Sequence, residues 1–199
     1  ATTSVPADIP SPESEPQIEE KQLEEFKESF QVAETVLSDT LKDVAVKDKD
    51  VDISVLLDAL NGIVDKSKNE VNLCNMLFAM KNNAEGLYVH SINVALWGQV
   101  LAKWMGFKED DIELVGVAGL LHDIGLLKLT NSGELPSGFT FHAELNGDKY
   151  SKHTVLGYNL LKEKNLDIKI KQTILTHHEC RDGSGFPLKV TLKNINPIS

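Results

Sequence analysis

Histidines at positions 90, 122, 153 and 177 stand 32, 31 and 24 residues apart, and the segments between them repeat apolar residues at helical spacing. Each interval is about one helix plus its connection. Four helices can therefore each deliver an imidazole to a shared interior, as in metal sites built inside helical bundles. Two of the positions are doubled: His122-Asp123 in LLHDIGLL and His177-His178 in LTHHECRDGSGFP. Imidazole mixed with carboxylate suits first-row transition ions better than magnesium or calcium. Neighbouring residues on a helix point about 100° apart, so His122 and Asp123 flank a centre, and the carboxylate is placed to bridge two ions.

The pattern predicts an all-α fold, a helical bundle with a smaller helical region at its N-terminus. Residues 1–16, with four prolines and no helical period, read as a flexible tail. From 17 to 84 the chain reads as an N-terminal helical region. Leu23, Phe26, Phe30, Ala33, Val36, Leu37 and Leu41 mark one long amphipathic helix, which is also a candidate dimer surface or signalling connector. Asp52 caps a second segment reading ISVLLDALNGIVDKS, and VNLCNMLFAM forms a short third helix. The metal-binding unit is expected over 85–199. A helix over 86–105 places His90 on its buried face, and Trp97 and Trp104 read as core. Asp110 and Asp111 suit the start of a helix that runs into His122-Asp123. After Gly125 an irregular stretch, rich in Gly, Ser, Asn and Pro, reads as a loop to about Gly147, with His142 an ordinary partnered histidine. Helices over 149–163 and 166–179 carry His153 and the His177-His178 pair.

Charge and cysteine content narrow the function. Of the formal net charge of -10, residues 1–50 hold 13 Asp or Glu against 5 Lys, a balance of -8 that leaves -2 for the rest. An acidic chain without a basic stripe argues against binding a nucleic-acid polymer. An anionic small substrate remains open, because bound cations reverse the local field. Cys74 and Cys180 form no CxxC motif, which points to a reducing, cytoplasmic setting. No apolar run has the length of a membrane span, so no membrane association is expected.

HDIG at 122–125 resembles the HD superfamily of metal-dependent phosphohydrolases, and HHECRDGSGFP at 177–187 resembles the more specific HD-GYP signature HHExxDGxGYP. With YVHSINVA at 88–95 and KHTVLGYNLL at 152–161, the resemblance runs from about Glu85 to Ser199. It implies a helical domain holding two or three metal ions, often iron or manganese, that hydrolyses cyclic di-GMP or a related cyclic dinucleotide. By that resemblance His90, His122, Asp123, His153, His177 and His178 match metal-ligand positions. The implied reaction is in-line attack on phosphorus by a metal-bridging hydroxide, with the ions neutralising the phosphate and the departing oxygen.

The sequence departs from the family pattern at several points. Leu126 stands where a lysine usually follows HDIG, and Lys128, the nearest lysine, is the candidate replacement beside Asp123 in the catalytic set. Phe186 replaces the GYP tyrosine, keeping the ring and losing the hydroxyl. Gly86 stands where members with a third metal carry Glu, so two ions, iron or manganese, are expected. The chain ends at INPIS, which resembles the segment just before the helix bearing the family's last aspartate ligand, so the metal-binding unit is expected to be truncated there. Arg181, Asp182, Gly183, Gly185 and Phe186 are the candidate substrate-binding residues. Glu179 is expected to orient a ligand or tie this loop. Two alternatives stand beside the phosphodiesterase: another HD-type phosphohydrolase, or a weak or inactive HD-GYP-like module that binds its ligand and signals to a partner.

Overall fold

The computed structural model describes residues 18–80, 86–131 and 150–191. The expected tail at 1–16, His142, the loop after residue 131 and the terminal INPIS lie outside the described residues. Within them run eight α-helices and no strand: α1 Glu20–Lys47, α2 Ile53–Val64, α3 Glu70–Met80, α4 Leu87–Trp104, α5 Glu109–Leu121, α6 Leu126–Asn131, α7 Lys152–Leu161 and α8 Ile168–Thr176. The fold is all-α.

On α1, Phe26, Phe30, Ala33, Leu37, Leu41 and Val44 all point inward, a stripe spaced by three and four residues. The helix stops where Asp48 turns left-handed at φ 57°, its N–H donating to the Asp43 carbonyl. Asp52 then opens α2, its carboxylate accepting the N–H groups of Ser54 and Val55. One continuous core joins Phe26, Leu37 and Leu41 to Leu56, Leu60, Met76, Ile92, Leu96, Leu121, Ile124 and Ile174. The first three helices therefore share their interior with the histidine-bearing ones.

Two close backbone approaches aim the histidines. A Cβ at Gly119 would lie 2.6 Å from the Ala95 Cα, so α5 runs directly against α4, and the start of α4 meets the end of α5. A Cβ at Gly125 would overlap the His153 carbonyl oxygen and lie 2.6 Å from the Gly157 nitrogen. Only glycine lets α7 cross there, which brings His153 over Asp123.

Several expectations change. The stretch after Gly125 begins with a helix, α6, because Leu126 and Leu129 are buried against Leu87, Tyr150 and Leu156. Turn-forming composition further along the segment hid those two apolar residues. Trp104 is 59% exposed, not core, and Trp97 is half-buried, edge-on to Phe78 at 6.4 Å. His90 lies in the first turn of α4, which begins after Gly86, and its side chain is 38% exposed rather than buried.

Candidate metal centre

His122 caps the C-terminus of α5 and Asp123 follows in the turn before α6. The Asp123 side chain is 1% exposed and its two oxygens face different histidines. Oδ2 lies 3.0 Å from His122 Nε2 and 3.8 Å from His90 Nε2. Oδ1 lies 3.1 Å from His153 Nε2 and 3.6 Å from His177 Nε2. Ligand atoms fall into the same two groups: His90, His122 and Asp123 in one; Asp123, His153, His177 and His178 in the other. The six expected ligand residues are thus brought together, with Asp123 common to both groups.

The rings are oriented by the backbone. Nδ1 of His122 bonds the Gly119 carbonyl at 2.7 Å, that of His153 the Tyr150 carbonyl at 2.6 Å, and that of His177 the Ile174 carbonyl at 3.0 Å. A carbonyl only accepts, so each Nδ1 carries a proton. In neutral His153 and His177 the Nε2 atoms then present lone pairs, and these face each other at 3.1 Å. Asp123 Oδ1, wholly buried beside them, has no hydrogen-bond donor. Converging lone pairs around an orphaned carboxylate oxygen are costly in a dry interior unless a cation sits among them. Neighbouring ligand atoms around one ion at ~2.1 Å stand about 3–3.5 Å apart, the scale of these separations. The donor set fits first-row metal ions.

Electrostatics agree. Burial opposes ionisation of Asp123, but the charge and hydrogen bond of His122 outweigh it and hold the carboxyl well below the usual range. Burial lowers His90 and His177, and with the neighbouring imidazoles pushes His178 down to about 4. These three rings are neutral at pH 7, the form that binds metal. His122 alone is raised: burial pulls it down, and the Asp123 carboxylate more than restores it.

The DGSGFP loop closes one side. Phe186 stacks on His178 at 4.6 Å and 26°, and its N–H donates to the His178 carbonyl at 3.2 Å. A Cβ at Gly185 would press on the Cys180 nitrogen and Glu179 Cα, so this glycine permits the loop to lie on the His178 backbone. Glu179 ties the loop: its carboxylate accepts the N–H groups of Leu188, Lys189 and Val190. Gly183 takes φ 78°, and Asp182 accepts the Ser184 N–H and hydroxyl, a chain-reversal contact. Arg181 and Asp182 are exposed.

Lys128 does not join the cluster. Its Nζ donates to the Ala45 carbonyl near the end of α1, at 2.5 Å. The expected catalytic lysine is a clamp between α6 and α1, because α6 starts one residue after Gly125 and turns that position outward. Leu126, in the usual lysine position, is 2% exposed. Tyr150 is the residue the sequence reading missed. Its hydroxyl lies 3.3 Å from His178 Nε2, its ring 4.5 Å from that of His153, and burial followed by the Asp123 charge raises its pKa. It stands just ahead of α7 in a polar stretch, with no pattern to single it out.

Comparison with known proteins follows the same lines. A family model described as HD domain matches residues 87–196. The cyclic di-GMP phosphodiesterase PdeB of Borreliella burgdorferi is 33% identical over 109 residues, 54% of this chain and 28% of that protein. The 3'3'-cGAMP-specific phosphodiesterase 2 of Vibrio cholerae is 28% identical over 153 residues, 74% of this chain and 28% of that protein. The chain thus spans little more than a quarter of the length of either. Bd1817, an HDG"Y"P protein from Bdellovibrio bacteriovorus, shares the fold with a TM-score of 0.56 at 19% identity, over 89% of this chain and 53% of that one. Because the family model covers more than half of the sequence and takes in every member of the histidine and aspartate cluster, the chain belongs to the HD domain family.

Proposed function

We propose that this chain is the hydrolytic unit of a metal-dependent phosphodiesterase acting on cyclic di-GMP or a related cyclic dinucleotide. The observation that carries the reading is the divided carboxylate of Asp123, with one oxygen toward His90 and His122 and the other toward His153 and His177. A pair of first-row ions, iron or manganese, would supply water activation and charge neutralisation at the phosphate when bound there. The chain's own contribution is orientation. The carbonyls of Gly119, Tyr150 and Ile174 hold three rings with Nε2 inward, and burial keeps His90, His177 and His178 unprotonated. Phe186 and Tyr150 set aromatic rings beside the centre and offer a surface for a base. The nucleotide relatives named above support a dinucleotide substrate.

A second reading, a ligand-binding module with weak turnover, is favoured by Lys128: its cation is spent on Ala45, and Leu126 offers none. One experiment separates the two. Protein purified without oxygen is assayed for metal content, then incubated with cyclic di-GMP and with mixed cyclic dinucleotides. Two ions per chain and linear product support the phosphodiesterase. Saturable binding of the intact cyclic compound without product supports the module.

A further inference from the structure

The core takes up the apolar stripe of α1, but α4 keeps a second stripe on the surface. Val94, Trp97, Leu101 and Trp104 recur at intervals of three, four and three residues, the a and d positions of a heptad, and lie within about 80° of arc. Val94 is 38%, Leu101 52% and Trp104 59% exposed, while Trp97, half-buried, stands edge-on to Phe78 of α3. Met105, 71% exposed, continues the face just past the helix end. A helix face open to water ordinarily carries charge. Residues 87–102 nevertheless contain no Asp, Glu, Lys or Arg, and the Lys103 ammonium is turned to the Glu70 carboxylate of α3.

We propose that this face pairs with the same face of a second copy of the chain, the two α4 helices running antiparallel about a twofold axis. The order of side chains along the stripe selects the direction. In an antiparallel pair a positions meet d positions, so one register sets Val94 against Trp104 of the second copy and Trp97 against its Leu101. Every layer then matches one indole with one aliphatic side chain. A parallel pair would set Trp97 on Trp97, Trp104 on Trp104 and Val94 on Val94, crowding two layers and leaving another thin. The twofold axis makes each contact occur twice. From their exposures, Val94, Trp97, Leu101, Trp104 and Met105 offer roughly 500 Å² per copy, so the pair buries about 1,000 Å² of mostly apolar surface before polar neighbours are added. That is the size at which a specific, reversible interface begins.

Sedimentation equilibrium of the full chain over about 1–200 μM tests the pairing. A concentration-dependent equilibrium between monomer and dimer is expected. Leu101→Glu, which puts a carboxylate at the centre of the face, should raise the dimer Kd at least about thirtyfold, and Trp104→Ser should act in the same direction. Both positions are exposed, so the thermal melt at low concentration should not change. Val32→Glu, on the exposed side of α1, should dimerise as the wild type does. Oxidative cross-linking in a Cys74→Ser, Cys180→Ser background reads the direction: an equal mixture of Val94→Cys and Trp104→Cys chains should cross-link faster than either variant alone. Wild type that stays monomeric throughout overturns the proposal, and so does a dimer that Leu101→Glu and Trp104→Ser leave intact. Either cysteine variant cross-linking by itself as fast as the mixture overturns the antiparallel pairing.

Discussion

Gly125 lies with its Cα against the carbonyl oxygen of His153, so close that no β-carbon fits between them. Gly157 faces the same contact from α7, its own Cβ position 3.3 Å from the Gly125 nitrogen. The glycine of HDIG is therefore the contact that seats one ligand helix on the turn carrying another ligand. Gly125→Ala should cost about 3 kcal/mol, since the clash is with main chain rather than a movable side chain. That corresponds to roughly 6–12 °C in Tm for a chain of this size. Thermal unfolding checks it, and a Tm within 2 °C of wild type would show that α7 can slide.

The division of Asp123 predicts unequal losses of metal. Asp123→Asn should abolish both ions, because both groups use that carboxylate. His90→Ala should leave one ion, because His90 approaches only Oδ2. Metal-free Asp123→Asn should be less stable than metal-free wild type at pH 7, since the amide loses the carboxylate's attraction for the His122 imidazole. Elemental analysis beside thermal melts tests this. Equal metal loss in the two variants would mean the ions do not share the carboxylate.

Lys128→Ala should lower Tm by about 2–4 °C through loss of the bond to Ala45. Hydrolysis of a cyclic dinucleotide should stay within twofold of wild type. A tenfold loss of turnover with an unchanged melt would restore the catalytic role expected from sequence.

Stability of the metal-free protein should depend on pH through the same rings. His90, His177 and His178 have folded pKa values below the unfolded one, His178 at about 4, so the unfolded chain takes up protons first as pH falls from about 6.5 toward 4. Stability is fully present above that window and declines through it. His122 is shifted upward and offsets part of the decline. After allowance for partial exposure, the net loss should be on the order of 1–2 kcal/mol. Urea unfolding at pH 7 and pH 5 measures it, and greater stability at pH 5 would contradict the assignment of neutral buried rings.

Much of this centre was legible as residue identity. The helical period of Phe26, Phe30, Leu37 and Leu41 gives α1, and the spacing of the histidines gives one ligand per helix. Both follow from the 3.6-residue repeat, a local property. The DGSGFP loop was legible as a turn, and Asp182 with Ser184 bears that out. Lys128 was misread because two residues of separation, read as loop, turn into a different helix face once Leu126 and Leu129 bury themselves. Tyr150 was unreadable because its partners, His178 and Phe186, lie 28 and 36 residues further along the chain.

The sequence by itself determined which side chains can hold a cation and which helices carry them, because ligand chemistry and helical period belong to single residues and their near neighbours. Only the tertiary structure decided which oxygen of Asp123 faces which ring, that Lys128 serves α1, and that Tyr150 stands on His178. Those relations depend on where helix backbones touch, at Gly119 against Ala95 and Gly125 against His153. Contact distances of that kind are set by packing across the core, and no local pattern records them.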